Sequence, residues 1–461
     1  MKNRGLTVFA LAAVMTAGAA TITSLAAEGW SKQNNVWVYY DSQGYLVRDE
    51  WKKGADNQWR YLNGAGEMAT NEWVDDTYYV DGDGLMIANK WLRIASDEDE
   101  AVNGYLWYYF NSSGKVETDD WKKIDGSWYY FDDDGVMQTG WVDDDIYYCD
   151  ANGRMLTGWQ KLLPPDESEY DDGKVRPGDE DDDDLVWYYF SANGKKYTPD
   201  VSGDECDVHK VGDDYYCFNA DGEMQTGWVN MKGENNLPDG IEDFRYFGPD
   251  GRARKGWLAL YPPDSLSGYD GVVEWFYFSK DGKPEIGPKE GEATTSDFVK
   301  IDGQNYLFND MGNPVYGIQK VYLGSSGENY TTYAFGTNRG DCVMTKGRVK
   351  LEEADGTVSE FYFSDSGQGY SGVKNGYLYY RGKLQKLDSG MKYDVVSIPS
   401  GTDKYENYVV SSSGKVMRST TVKNADGIKY KTNSSGILTE IDEETAGKGH
   451  YEDPVEPNYY D

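Results

Sequence analysis

Residues 119–141 read DDWKKIDGSWYYFDDDGVMQTGW, and their pattern returns at 140–159 as GWVDDDIYYCDANGRMLTGW and at 213–228 as DDYYCFNADGEMQTGW. Each unit has one Trp, a turn, an aromatic strand, an Asp/Asn-rich stretch closing on Gly, and a short segment, often with Met, that leads to the next Trp. From turn Gly to next Trp there are 7 steps at Gly44→Trp51, Gly66→Trp73, Gly84→Trp91 and Gly114→Trp121. There are 6 at Gly135→Trp141, Gly153→Trp159, Gly222→Trp228 and Gly251→Trp257. The aromatic strands read WVYY (37–40), WRYL (59–62), WYYF (107–110, 128–131 and 187–190) and WFYF (275–278). Strand side chains alternate faces, so positions one and three share one face and positions two and four the other. Both faces are aromatic and need cover, which a lone two-stranded hairpin cannot supply. End-to-end stacking supplies it. The predicted fold is all-β, a repeat β-solenoid of stacked two-stranded hairpins.

The variable part of the unit lies between its Trp and its aromatic strand. It is 7 steps at Trp121→Trp128 but 16 at Trp91→Trp107, 28 at Trp159→Trp187 and 18 at Trp257→Trp275. The long versions contain LPPDESEYDDGKVRPGDEDDDD (163–184) and YPPDSLSGYDG (261–271), whose Pro pairs, Gly and acid runs mark loops. Insertions at one point of a repeat emerge on one side of a stack. After Trp275 no Trp occurs, and Val201, Val299 and Ile318 stand where one is expected. The pattern persists in FYFSDSGQGYSGV (361–373), YLYYRGKLQK (377–386) and YKTNSSGILTEI (430–441). The organisation expected is a signal peptide at 1–27, Trp-rich repeats at 28–284, degenerate Trp-free repeats at 285–442 and a disordered Gly/Glu/Pro-rich tail at 443–461.

The leader rests on Lys2 and Arg4, an apolar run from Leu6 to Ala20, and the small residues around Ser24-Leu25-Ala26. The run is short for a membrane anchor, and no later stretch is long and apolar enough to span a bilayer. The mature chain is therefore expected outside the cell. It has no LPxTG-like motif or hydrophobic tail, so any surface retention is expected to be non-covalent.

Charge narrows the partners. The 461 residues hold 45 Lys and Arg against 80 Asp and Glu, a net −35. A nucleic-acid partner is excluded, since phosphate neutralisation needs a basic face. An anionic membrane surface is disfavoured too. The two histidines, His209 and His450, leave no multi-His metal site and argue against a Ser-His-Asp or Cys-His machine. No non-repeat stretch of about 100 residues exists to house a catalytic domain. The chain is expected to be no enzyme and to need no cofactor or metal. The acid runs Asp97–Glu100, Asp143–Asp145 and Asp179–Asp184 lack the EF-hand pattern and read as solvated loops. Cys149, Cys206, Cys217 and Cys342 allow three pairings. Cys206 and Cys217 are close enough to pair within one hairpin, while Cys149 and Cys217 also read as small core fillers at aromatic strand positions.

The unit GW…G-x-WYYFD-x-DG-x-M-x-TGW resembles the cell-wall-binding repeats of Gram-positive surface proteins. These are the choline-binding repeats of pneumococcal-type proteins and the related glucan- and toxin-type repeats of clostridia. The resemblance covers roughly residues 28–441 and is best in the N-terminal half. It implies a left-handed solenoid with ligand held between successive hairpins in an aromatic cage, often with a Met. The rings come from the first strand's Trp, the second strand's first aromatic and a Tyr of the next hairpin. A quaternary ammonium offers diffuse charge and no hydrogen-bond donor, and ring quadrupoles hold it at roughly 0.5–2 kcal/mol per good contact.

Carried onto this chain, the resemblance implies one cage of Trp121, Trp128, Met137 and Tyr148 and a second of Trp51, Trp59, Met68 and Tyr79. Trp30, Trp37 and Tyr61 make a third, and Trp91, Trp107 and Tyr130 a fourth, with Leu46 and Val116 where a Met is usual. Thr77 and Ile146 replace the strand Trp and are expected to spoil the cages fed by Trp73 and Trp141. Every such cluster also reads as plain hydrophobic core, since the class includes purely structural repeats. The implied function is non-covalent attachment to cell-wall polymer, either choline-decorated teichoic acid or a glycan. Bare teichoic phosphates would be repelled unless contact runs through a choline cation. The alternative is a surface adhesin or scaffold whose acidic insertion loops bind a partner protein.

Overall fold

The fold is taken from a computed structural model that describes residues 27–460, apart from 99–100, 166–168, 171–172, 175–184, 202, 204, 234, 270, 290–291 and 324–328. The leader, the 179–184 acid run and part of the 97–100 run lie outside the described residues. The chain divides into two compact units, 1–197 and 198–461, a boundary inside the Trp-bearing stretch. It is all-β, and every named strand pair is antiparallel. No helix among the described residues is long and apolar enough to cross a membrane.

In the first unit, seven two-stranded repeat hairpins follow one another among the described residues, with a short Glu169–Tyr170/Gly173–Lys174 hairpin inside the last insertion. They are Gly29–Gln33 with Val36–Tyr40, Glu50–Lys53 with Trp59–Leu62, Glu72–Val74 with Tyr78–Val80, Lys90–Ala95 with Tyr105–Phe110, Asp120–Ile124 with Ser127–Phe131, Gly140–Val142 with Tyr147–Cys149, and Gly158–Leu162 with Val186–Phe190. After most of these aromatic strands an Asp or Asn folds the turn by accepting two backbone N–H bonds, while Ser191 follows the seventh. Asp41 Oδ1 accepts from Gln43 and Tyr45 at 2.9 and 2.8 Å, and Asn63, Asp81, Asn111 and Asp150 do the same in their turns.

The 7- and 6-step spacings have a backbone cause. In the longer version a left-handed Asp49, Asn71, Asn89 or Asp119 sits two residues before the Trp. In the shorter one a left-handed Gly140, Gly158, Gly227 or Gly256 sits immediately before it. Only Gly takes that conformation freely, with Asn and Asp next.

Burial is concentrated at the fourth position of the aromatic strand: Leu62, Val80, Phe110, Phe131, Cys149 and Phe190 are all 0% exposed. The first position is different. Trp37, Trp59, Trp128 and Trp187 remain 39–42% exposed, so the two faces are not equally covered as the strand pattern suggested. Successive hairpins are tied by one recurring backbone bond, from the residue two after each turn Gly to the carbonyl that opens the preceding aromatic strand. It runs Met68→Trp37, Met86→Trp59, Val116→Thr77, Met137→Trp107, Met155→Trp128 and Lys196→Ile146, at 2.8–2.9 Å. The Met side chains then lie over the next turn. A Cβ on Gly84, whose φ is +70°, would stand 2.7 Å from Met68 Cε.

One turn carries strain of an electrostatic kind. Asp132 accepts from Val136 N at 2.7 Å and Gln138 Nε2 at 2.8 Å, but burial pushes its carboxyl up to about 6. A raised carboxyl contributes stability below its unfolded value of 3.8 and loses it as pH climbs through 6. Asp132→Asn is therefore expected to be more stable than the parent at pH 7.5, by about 1 kcal/mol after solvent screening. The gap should close as pH falls towards 4, as paired thermal melts across that range would record.

The second unit begins with similar hairpins, including Gly227–Asn230 with Phe244–Phe247 and Gly256–Leu260 with Glu274–Phe278. It then departs from the pattern expected of residues 285–442. Gly347–Glu352, Val358–Phe363, Lys383–Leu384, Tyr377–Tyr380 and Gly372–Lys374 form one five-stranded sheet. Tyr393–Gly401 and Lys404–Ser411 make a long hairpin, and a four-stranded sheet follows from Thr421 to Thr445. The tail is not the disordered segment its composition suggested. Glu444–Thr445 is a strand, and residues 451–460 run as a strap bonded to Ser397, Gln385, Lys383, Glu353, Thr332 and Ile318.

Candidate functional site

Strand alternation decides which rings meet. In the fifth hairpin Trp121 lies opposite Tyr130, and Lys123 opposite Trp128, so both Trp rings and Tyr130 share one face. The second position of the next aromatic strand then packs onto that face. Trp121 is 5.3 Å from Tyr130 and 5.0 Å from Tyr147. Trp51 is 5.2 Å from Tyr61 and 5.4 Å from Tyr78. Trp91 is 6.3 Å from Trp107, 5.3 Å from Tyr109 and 5.0 Å from Tyr129.

These contacts correct the expected groupings. Tyr148, Tyr79, Tyr61 and Tyr130 occupy third positions and face the Trp of their own hairpin: Tyr148 packs on Trp141, Tyr79 on Trp73, Tyr61 on Trp51 and Tyr130 on Trp121. The ring that reaches each of these Trp residues from the next hairpin is Tyr147, Tyr78 or Tyr129. Each Met bonds back to the hairpin before its own. Met137 bonds the Trp107 carbonyl and Met68 that of Trp37, leaving Met155 and Met86 for the cages of Trp128 and Trp59.

Cavities open beside these ring clusters. One of about 360 Å³ is lined by Trp91, Arg93, Tyr105, Trp107, Tyr129 and Met137. Another of about 750 Å³ is lined by Trp30, Trp37, Tyr39, Arg60 and Met68. In the latter Arg60 stands where other hairpins put Tyr, and Asp56 grips it at 2.7 Å. The Arg60 hydrogen bond holds the Asp56 carboxyl well below the usual carboxylate range. In the second unit Trp257 is ringed by Trp275, Tyr277, Tyr306 and Phe308 at 5.0–6.5 Å.

A cation lies over each strand-opening Trp of the four cages the sequence singled out: Lys32 over Trp37 at 5.9 Å, Lys53 over Trp59 at 4.9 Å, Arg93 over Trp107 at 5.9 Å and Lys123 over Trp128 at 5.9 Å. Where Thr77 or Ile146 replaces that Trp, the residue two after the first-strand Trp is Asp75 or Asp143, in the turn just past the strand. Asp143–Asp145 is an exposed turn with left-handed backbone at all three residues. Cys149 and Cys342 are buried, which pushes their thiols up to about 12 and about 11. The buried Cys217 thiol is also pushed up, first by its hydrogen bond with Cys206.

The repeats have known relatives. Residues 27–73 and 118–157 match the choline-binding repeat family, and residues 104–116 match a cell wall binding repeat. These segments are choline-binding and cell-wall-binding repeats. The chain is 24% identical over 308 residues to a glucosyltransferase-S of Streptococcus mutans, covering 63% of this chain and 15% of that protein. It is 36% identical over 111 residues to a glucosyltransferase-S of Streptococcus downei, covering 23% of this chain and 8% of that one. It thus spans less than a sixth of the length of these curated relatives. Among solved structures, CbpJ of Streptococcus pneumoniae is 21% identical at a TM-score of 0.38, covering 68% of this chain and 100% of that one. The choline-binding domain of CbpL from the same species is 24% identical at 0.32, covering 50% and 98%.

Proposed function

We propose that this is a secreted, non-catalytic protein that attaches to choline-bearing cell-wall polymer through its aromatic cages, with the hairpins stacked as a repeat solenoid. The observation that carries the reading is the cavity walled by Trp91, Trp107, Tyr129 and Met137. It takes rings from two successive hairpins and a thioether from the second, and its faces are suited to a cation that donates no hydrogen bond. Arg93 over Trp107 places a positive charge beside it, which suits a choline that still carries its phosphate. That arrangement answers the problem posed by a net charge of −35, since an anionic polymer meets local cations at each cage.

Choline in the millimolar range is expected to change Trp fluorescence and raise the melting temperature by mass action. Trp107→Ala should remove part of the response while leaving the β-type spectrum intact. A full-size response in that variant, or none in the parent, would sink the reading. Wall glycans without choline would then be titrated in the same assay.

A further inference from the structure

The cage fed by Trp141 departs from the others in a way that composition alone did not reveal. Its strand-opening residue is Ile146 rather than Trp, and the place held by Met68, Met86, Met137 and Met155 belongs to Lys196. The backbone bond is kept, Lys196 N to Ile146 O at 2.8 Å, so Lys196 enters on the path the Met residues use. Its Nζ lies 4.8 Å from the Trp141 ring centroid and 5.5 Å from that of Tyr188. Both rings are buried, at 5% and 0% exposure, and Tyr148 and Phe190 close the cluster around them. Trp141 also donates its indole N–H to Leu163 O at 2.9 Å, which fixes the ring's orientation.

We propose that Lys196 is a tethered ammonium that permanently occupies the Trp141–Tyr188 cage and closes it to any external quaternary ammonium. The proposal rests on the cage reading in one respect, that these rings take a cation. An ammonium on its own side chain is present at an effective concentration of roughly millimolar or more, comparable with the affinity expected of one weak cage, and gives up little freedom on entering. Lys53, Arg93 and Lys123 lie over the strand-opening Trp of their cages, whereas Lys196 enters where a Met stands and lies over the first-strand Trp and the next hairpin's Tyr, the place an external cation would take. The hairpin therefore keeps the ring packing of a binding repeat while serving as a structural joint. The missing Trp at 146 and the Lys at 196 belong together: the space a second indole would have closed admits the Lys stem.

Two measurements separate this proposal from the broader one. In pulse acetylation of the full mature chain, Lys196 should react at least about tenfold more slowly than its exposed neighbour Lys195. Equal rates would mean the ammonium is not in the cage, whatever the protein binds. Choline stoichiometry by equilibrium dialysis then tests closure, using Ile146→Trp with and without Lys196→Met. Ile146→Trp alone should bind the same number of cholines as the parent, and the double variant one more. A gain from Ile146→Trp alone, or no gain in the double variant, overturns closure. If the parent binds no choline the proposed function fails, while the acetylation result still decides where the Lys196 ammonium sits.

Discussion

Full-length protein carrying Trp59→Ala, Trp107→Ala and Trp128→Ala together is expected to lose its hold on isolated Gram-positive walls by about 10²–10⁴-fold, while each single variant loses only a few-fold. The contrast follows from linkage. A cage offers a few rings to one ammonium, each worth about 0.5–2 kcal/mol, so one site alone binds weakly. On the proposed reading, several cages along one chain would meet a polymer that repeats its own epitope, and each engaged site would raise the effective concentration at the next. Losing one leaves that gain largely in place; losing three removes it. The variants are suited to the test because Trp59 and Trp128 are each 41% exposed and stand outside the fully buried row of Leu62, Phe110 and Phe131. Co-sedimentation over a range of wall concentrations reads the result. If the triple variant pellets like the parent, recognition lies outside these cages. Beyond the Trp257 cluster, the second unit is a poor candidate to replace them. Tyr330 already holds two of the chain's own cations, Lys320 at 4.3 Å and Arg381 at 3.5 Å.

The hairpins themselves were legible because the repeat states them many times over. A Trp, an aromatic strand and a turn Gly at constant offsets leave few foldings open, and antiparallel pairing of Trp121 with Tyr130 follows from the spacing. The cage partners were also within reach, and the expected Tyr148, Tyr79, Tyr61 and Tyr130 were one residue off. Positions one and three share a face, so a third-position Tyr must look at its own Trp; only the second position, Tyr147 or Tyr129, can reach the hairpin before it. The Met assignments needed something no periodicity carries. Met137 follows the turn of the fifth hairpin but bonds Trp107 of the fourth, a step backwards that appears only once the hairpins are stacked. Lys196 was hidden for the same reason, since it looks like an ordinary surface lysine until the path of its backbone is known.

The strap at 451–460 was the least legible element, and it leads to the last large expected effect. Its sequence, YEDPVEPNYY, has the Pro and Glu content of a disordered segment, yet its partners lie far away in sequence. Val455 exchanges two bonds with Gln385, at 2.7 and 3.1 Å. Glu456 O accepts from Lys383 Nζ at 3.0 Å, and Asn458 N donates to Glu353 at 2.7 Å. Beneath the strap Lys383 and Glu353 pair at 3.0 Å, with Glu353 only 1% exposed. Removing one partner of a buried pair leaves an uncompensated charge, at a cost of about 3–5 kcal/mol, whereas removing both charges costs far less. Lys383→Met is therefore expected to destabilise the second unit by about that amount and to loosen the strap, because Glu456 loses its donor as well. Adding Glu353→Gln should recover most of the loss. Urea unfolding of the three full-length proteins, with hydrogen exchange at residues 452–460, would test both statements. If Lys383→Met unfolds at the parent's midpoint, or if the double variant is no better than the single, the pair does not hold the strap, and the bonds from Gln385 and Ile318 must suffice.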